Sequence, residues 1–106
     1  MIEKKLDYNN EVNAVLVGVI QQGQSEALEK EYLEELKFLA ETAGAVTIKI
    51  FTQKLDHPDS KTFVGKGKLE EIREYVSRKN VGLVIFDDEL TGSQISAIEK
   101  ELKTVT

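Results

Sequence analysis

Two short segments of the chain are apolar at nearly every position, and each is followed by residues with helical periodicity. The first covers residues 14–20 and the second covers residues 81–86. A strand with one solvent-facing side alternates polar and apolar residues, whereas a strand buried on both faces is continuously apolar. We therefore predict two central strands of a parallel sheet that has helices on both faces.

The first helix is predicted from a cap signal at each end and an apolar face between them. Ser25 is a suitable N-cap, because its hydroxyl can accept a hydrogen bond from a free backbone N–H group. Gly44 stands just beyond the last periodic residue, where a positive φ is common. The residues predicted to form the buried face are Leu28, Tyr32, Leu36, Leu39, Ala40 and Ala43.

The remaining elements follow from similar signals. Residues 46–54 alternate only in part, with Val46, Ile48 and Ile50 on one face, which is typical of an edge strand. Helix two is predicted to begin near Gly67 or Lys68. Helix three is predicted to begin at Thr91, because Gln94 three residues later completes the spacing of a capping box.

These elements predict an α/β fold, a three-layer sandwich whose parallel sheet has the order 2-1-3, as in flavodoxin-like sheets. That order leaves one side of strand three open, and an uncovered apolar strand edge favours aggregation. Residues 103–106 read as the start of a truncated fourth strand. We therefore expect a fragment of a longer protein, with an N-terminal extension at residues 1–12 and the domain at residues 13–106.

Composition excludes several classes of function. The 106 residues contain no Cys, which rules out disulfides, Cys-based zinc sites and thiol catalysis. A net charge of −5 argues against a protein that coats nucleic acid through a uniformly basic surface. The sequence shows neither a secretory h-region nor the roughly 20 apolar residues that a membrane span requires, so we expect a cytoplasmic protein without membrane contact.

A basic, glycine-rich segment leads into helix two and is the first candidate site. It consists of Gly65, Lys66, Gly67 and Lys68, with Lys61 shortly before it. Glycines let backbone N–H groups approach a ligand, and a helix N-terminus favours anions, so the segment could bind a phosphate or an RNA backbone. The alternative is an ordinary helix start with solvated lysines. The segment lacks the hydroxyl residue of a G-x-x-x-x-G-K-[ST] loop, and no dinucleotide-binding G-x-G-x-x-G is present.

The second and third candidates are polar residues in loops. Asp87, Asp88 and Glu89 follow strand three, where carboxylates could hold Mg²⁺ or favour the N-terminus of helix three through its dipole. A phosphate-receiving domain is disfavoured, because no acidic pair follows strand one. His57 lies in the long connection after strand two, and a surface histidine beside a turn-forming Pro58 explains it as well as a catalytic role does.

Four stretches in order and spacing resemble the N-terminal domain of HflX-type GTPases. They are residues 33–45 (LEELKFLAETAGA), 52–59 (TQKLDHPD), 62–71 (TFVGKGKLEE) and 83–94 (LVIFDDELTGSQ). The resemblance covers residues 13 to 105. One departure is Gly92, which stands where many members carry proline.

The resemblance implies a parent protein that binds and hydrolyses GTP with Mg²⁺ through a later domain and associates with the large ribosomal subunit and its RNA. It implies that this domain helps to contact ribosomal RNA and restrains its own GTPase domain in cis. The chain alone is then not catalytic and carries no cofactor. A ribosome contact would use Lys61, Lys66 and Lys68. The alternative function is an autonomous ATP-binding domain that uses residues 65–68 for phosphates and Asp87 or Asp88 for Mg²⁺.

Overall fold

The computed structural model describes residues 12–103, in which strands and helices alternate. The elements are β1 (Val12–Gln21), α1 (Glu26–Thr42), β2 (Ala45–Leu55), α2 (Lys66–Arg78), β3 (Leu83–Phe86) and α3 (Gly92–Leu102). The three strands are parallel and lie in the order β2-β1-β3, which confirms the predicted α/β fold and strand order. Lys103, the first residue of the fourth strand predicted at residues 103–106, is the C-cap of α3 with a φ of +56°. The other three residues of that strand and all but the last residue of the predicted N-terminal extension lie outside the described residues.

The central strand β1 separates two unequal apolar clusters. Val15, Val17 and Val19 face α2 and α3, and they belong to the larger cluster together with buried residues of both helices. On the opposite face, Ala14 packs with Ala40 of α1 in a much smaller cluster. Most of the core therefore lies on the α2 and α3 side of the sheet.

An irregularity in β2 changes which of its residues face the core. The β1–β2 register steps from Ala14 opposite Thr47 to Val15 opposite Lys49, so Ile48 is an extra residue in β2. A bulge of this kind shifts the alternation of the strand by one residue. The prediction that Val46, Ile48 and Ile50 share one face is therefore wrong beyond the bulge. Phe51, and not Ile50, lies with Ile48 in the larger cluster.

The ends of α1 are as predicted, but its buried face is different. Ser25 Oγ accepts the Leu28 N–H at 3.1 Å, and Gly44 has a φ of +96°. Leu33 and Ala40 are the buried residues of α1. Four large apolar residues are instead exposed, by fractions of 44% (Leu28), 51% (Tyr32), 65% (Phe38) and 54% (Leu39). Apolar residues occupy more of the helix circumference than the sheet can cover, so the sheet contacts only the flank around Leu33.

Helices α2 and α3 cover the other face of the sheet, and their buried residues are Leu69, Ile72, Val76, Ile98 and Leu102. The predicted capping box at Thr91 and Gln94 is confirmed, with Gln94 N–H donating to Thr91 Oγ1 at 3.1 Å. No helix among residues 12–103 is long and apolar enough to cross a bilayer.

Candidate functional site

The glycine-rich segment is fixed to the edge strand by its first residue. The Gly65 N–H donates to the side-chain oxygen of Gln53 on β2 at 2.8 Å, and no side chain caps α2. A Cβ at Gly65 would lie 3.2 Å from Gln53 Nε2, whereas a Cβ at Gly67 would meet no atom within 4 Å. The first-turn N–H groups of α2 lack carbonyl partners within the helix.

The loop before this segment is held by a buried aromatic ring. Phe63 is 3% exposed despite a φ of +69°, and its ring packs edge-on against Phe86 with 5.5 Å between centroids. Two backbone hydrogen bonds join Phe63 to Asp59, at 2.9 and 3.0 Å. The Asp59 carboxylate also accepts the backbone N–H groups of Thr62 and Lys61, which lower the Asp59 pKa below its usual range. The tip of the loop therefore has a defined shape.

The three lysines of the predicted basic site are not equivalent. Lys61 and Lys66 are exposed. Lys68 is partly buried, and its Nζ lies 3.2 Å from Glu71 Oε1 within the same helix turn. Lys68 is thus paired within its own helix, Lys61 lies close enough to Asp59 for its charge to help lower the pKa of that carboxyl, and Lys66 has no ion pair among residues 12–103.

A pair of acidic residues lies on the opposite face of the sheet, where Glu29 of α1 approaches Asp87, which follows β3. The Oε2 atom of Glu29 is shielded from solvent and has no hydrogen-bond partner. A Cβ at Gly18 would lie 2.6 Å from this atom, so the glycine leaves the space that the carboxyl occupies. Burial raises the pKa of Glu29 to about 7, with a further contribution from Asp87, to which a protonated Glu29 can donate.

Glu29 is not among the residues predicted for the buried face of α1, and its pairing with Asp87 was not predicted from the sequence. The available signal was Gly18, because a glycine inside a continuously apolar strand indicates that another group approaches the backbone closely. Within residues 12–103, no three His, Asp or Glu side chains are grouped closely enough to hold a metal ion. His57 is exposed in the loop after β2.

The glycine segment and the acidic pair occupy different faces of the sheet. Gly65 contacts β2 on the side covered by α2, whereas Asp87 lies beside Glu29 of α1. In the part of the chain that the structure describes, no hydrogen bond or ion pair connects residues 65–68 with Asp87 or Asp88. Asp88 Oδ1 instead accepts the neighbouring Glu89 N–H at 2.7 Å. The two groups thus lie on different faces of the sheet, and a joint phosphate and Mg²⁺ site stays a prediction.

The Glu29 carboxyl is expected to make stability depend on pH. Its folded pKa of about 7 exceeds the ordinary 4.5, so the stabilisation from protonation is complete below 4.5 and is lost as the pH rises through 7. Because solvent screens a partly exposed carboxyl, we expect Glu29→Gln to raise the free energy of unfolding at pH 8 by only about 1 kcal/mol. Urea denaturation at pH 5 and pH 8 measures this difference.

The matched control is Glu34→Gln, which removes the same charge from an exposed position on the same helix. It removes no contact with Asp87, so the two variants should differ at pH 8. Equal pH profiles for both variants would show that Glu29 is ionised in the folded protein at neutral pH.

Comparison with known proteins places the chain in a family. Residues 30–106 match the family model described as GTP-binding GTPase N-terminal. The chain is 47% identical to the GTPase HflX of Flavobacterium psychrophilum over 100 residues, which are 94% of this chain and 24% of that protein. It is 46% identical to the GTPase HflX of Caldanaerobacter subterraneus over 89 residues, covering 84% of this chain and 20% of the relative.

A more distant relative shows the same pattern of coverage. The GTPase HflX of Escherichia coli is 34% identical over 70 residues, which are 66% of this chain and 16% of that protein. The chain thus spans about a quarter or less of the length of these curated relatives. Since the family model covers most of the chain, we conclude that the chain belongs to the N-terminal domain family of HflX-type GTPases.

Proposed function

We propose that this domain is the ribosome-binding and regulatory module of a cytoplasmic HflX-type GTP-binding protein. It contacts the RNA of the large ribosomal subunit and positions the GTPase domain of the same protein in cis. The observation that carries the proposal is the exposure of Lys61 and Lys66 beside the uncapped first turn of α2. This is a local basic site on a domain whose net charge is −5.

The geometry of this site suits a phosphate of an RNA backbone. The N-terminus of a helix offers free N–H groups and the positive end of the helix dipole, and both favour an anion. The space around Gly67 lets a phosphate oxygen approach the backbone. Contacts of this type position a protein on RNA without reading its sequence, which fits a domain that orients another domain.

GTP and Mg²⁺ are assigned to a different part of the full-length protein. This chain contains no G-x-x-x-x-G-K-[ST] loop, and the Gly65 N–H is already bonded to Gln53. Asp87 faces Glu29, which is a second acidic group and not a phosphate-binding element. The residues present therefore do not fit a complete GTP and Mg²⁺ site, and we propose that hydrolysis depends on the separate domain.

Sedimentation of the full-length protein with large ribosomal subunits tests the proposal. The double variant Lys61→Ala/Lys66→Ala is expected to bind more weakly, and the slope of log K against log salt should fall by about 2, or about one for each lost phosphate contact. The control is Lys79→Ala/Lys100→Ala, which removes the same charge from exposed positions near the C-terminal ends of α2 and α3. Equal binding by the two variants would show that Lys61 and Lys66 do not contact the RNA.

A second pair of variants tests the backbone part of the site. Gly67→Ala and Gly92→Ala each add a methyl group in the first turn of a helix, at positions where a Cβ meets no atom within 4 Å. Alanine is a better helix former than glycine, so the domain should remain folded in both variants. Only Gly67→Ala should weaken sedimentation, and an equal effect of both would contradict phosphate binding at α2.

A further inference from the structure

The start of α2 is held by Gln53 of β2 rather than by a capping side chain of its own. In α1 and α3, the N-cap residues Ser25 and Thr91 each use a side-chain oxygen to accept an N–H group of the first turn. The N-cap of α2 is Gly65, which has no side chain for this purpose. Gln53 instead accepts the N–H of Gly65 itself at 2.8 Å, so the helix start is bonded to a neighbouring strand.

This arrangement fixes α2 without occupying its first-turn N–H groups. The first helical hydrogen bond runs from the Leu69 N–H to the Gly65 carbonyl oxygen at 2.9 Å. The N–H groups of residues 66–68 therefore have no carbonyl partner within the helix, and no side chain caps them. An ordinary N-cap residue would occupy one of these donors. A contact through Gln53 leaves all of them to a ligand.

Gln53 has the position and the chemistry to hold this part of the backbone. It lies opposite Val19 in the β1–β2 register, on the face of the sheet that α2 covers, and it is partly buried. Because the Gly65 N–H is a donor, the oxygen of the Gln53 amide must point toward it. A Cβ at Gly65 would lie 3.2 Å from Gln53 Nε2, so the two residues are closely packed.

The two glycines around Lys66 explain why such a contact is needed. Glycine adopts backbone conformations that other residues do not, so a Gly-Lys-Gly segment does not by itself fix the direction of its lysine. The preceding residues Phe63 and Val64 are buried and hold the chain up to position 64. The hydrogen bond from Gly65 to Gln53 extends this order to the residue directly before Lys66.

We propose that Gln53 is a positioning residue for the RNA contact of this domain, an inference that rests on the proposed function. Its amide oxygen holds Gly65 so that Lys66 and the first-turn N–H groups of α2 point toward the same phosphate. Gln53 acts through Gly65 and does not bind the phosphate itself.

Sedimentation of the full-length protein with large ribosomal subunits tests this role. Gln53→Met removes the acceptor and keeps an unbranched side chain of similar length. Its binding is expected to be about fivefold weaker, as for the loss of one hydrogen bond of ordinary strength. The matched control is Gln22→Met, the same change at an exposed residue in the loop after β1. Equal binding by Gln53→Met and Gln22→Met would overturn the positioning role.

A double-mutant comparison separates positioning from a general loss of stability. Lys66→Ala is expected to weaken binding several-fold in the natural sequence. In the Gln53→Met background it should weaken binding by less than about twofold, because the lysine is already misplaced there. A substitution that only destabilises the domain would leave the effect of Lys66→Ala the same in both backgrounds, and that result would overturn the positioning role.

The same experiments separate the role of Gln53 from the proposed function. If Lys61→Ala/Lys66→Ala weakens binding and Gln53→Met does not, the RNA contact stands and only the positioning role fails. If Lys61→Ala/Lys66→Ala binds as its control does, the proposed RNA contact fails, and the positioning role fails with it.

Discussion

Replacement of Phe63 by alanine is expected to lower the free energy of unfolding by about 3–5 kcal/mol, the usual cost of deleting a buried aromatic ring. The ring is 3% exposed and packs edge-on against Phe86. A domain of this size is commonly stable by about 5–15 kcal/mol, so the variant loses a large share of its stability. Urea denaturation measures the loss.

The control for this prediction is Phe38→Ala, which removes the same ring from a position that is 65% exposed. We expect its effect in the isolated chain to stay within about 0.5 kcal/mol. A Phe63→Ala cost as small as that of Phe38→Ala would mean that the loop does not pack on β3 as described.

The backbone at position 63 provides a further check. Its φ of +69° lies in the left-handed region, which costs most residues about 1–2 kcal/mol and costs glycine nothing. Phe63→Gly should therefore be more stable than Phe63→Ala, although glycine is usually the more destabilising residue. The opposite order would show that the loop adopts another conformation once the ring is removed.

Phe63 also connects the stability of the fold to the candidate RNA site. The loop it anchors carries Lys61 and leads directly into Gly65 and Lys66. Its ring is held by Phe86, the last residue of β3, so the basic site is fixed to the sheet. Loss of the ring should loosen the two lysines together, even though neither contacts it.

The parts of the fold that depend on local signals were predictable from sequence. Two-sided burial produces a continuously apolar strand, and residues 14–20 indicated the central strand β1 for that reason. The same interpretation of residues 81–86 predicted a second central strand, whereas β3 lies at the edge of the described sheet and is buried mainly through Val84 and Phe86. The cap at Ser25 and the capping box at Thr91 and Gln94 involve residues three apart, so their spacing alone identifies them. The strand order followed from the partial alternation of β2.

The candidate sites depend on contacts between residues that are distant in sequence, and these contacts were harder to predict from the sequence. Nothing in the glycine segment indicates that Gln53, twelve residues earlier, accepts the Gly65 N–H. The Glu29 and Asp87 pair joins α1 to the end of β3, and a glutamate in a helix is normally interpreted as solvent-exposed. The bulge at Ile48 similarly depends on pairing with β1 and leaves no clear pattern within β2.

The buried face of α1 is the clearest case in which periodicity alone was insufficient. Leu28, Tyr32 and Leu39 recur at helical spacing as regularly as the residues that face the sheet. A helix with apolar residues on two flanks has two possible orientations, and only tertiary packing selects one of them. Here the selected flank contains Leu33, which is 2% exposed, and the other flank is left exposed.

Leu33→Ala and Leu39→Ala compare these two flanks directly, with the same chemical change on the same helix. In the isolated chain, Leu33→Ala is expected to cost about 2–5 kcal/mol because it leaves a cavity between α1 and β1. Leu39→Ala should cost less than about 1 kcal/mol, because the side chain is 54% exposed. Chemical denaturation of both variants measures the difference.

A cost of Leu39→Ala that exceeds that of Leu33→Ala already in the isolated chain would mean that α1 contacts the sheet through the flank that periodicity predicted. In that case Leu39 would be part of the core.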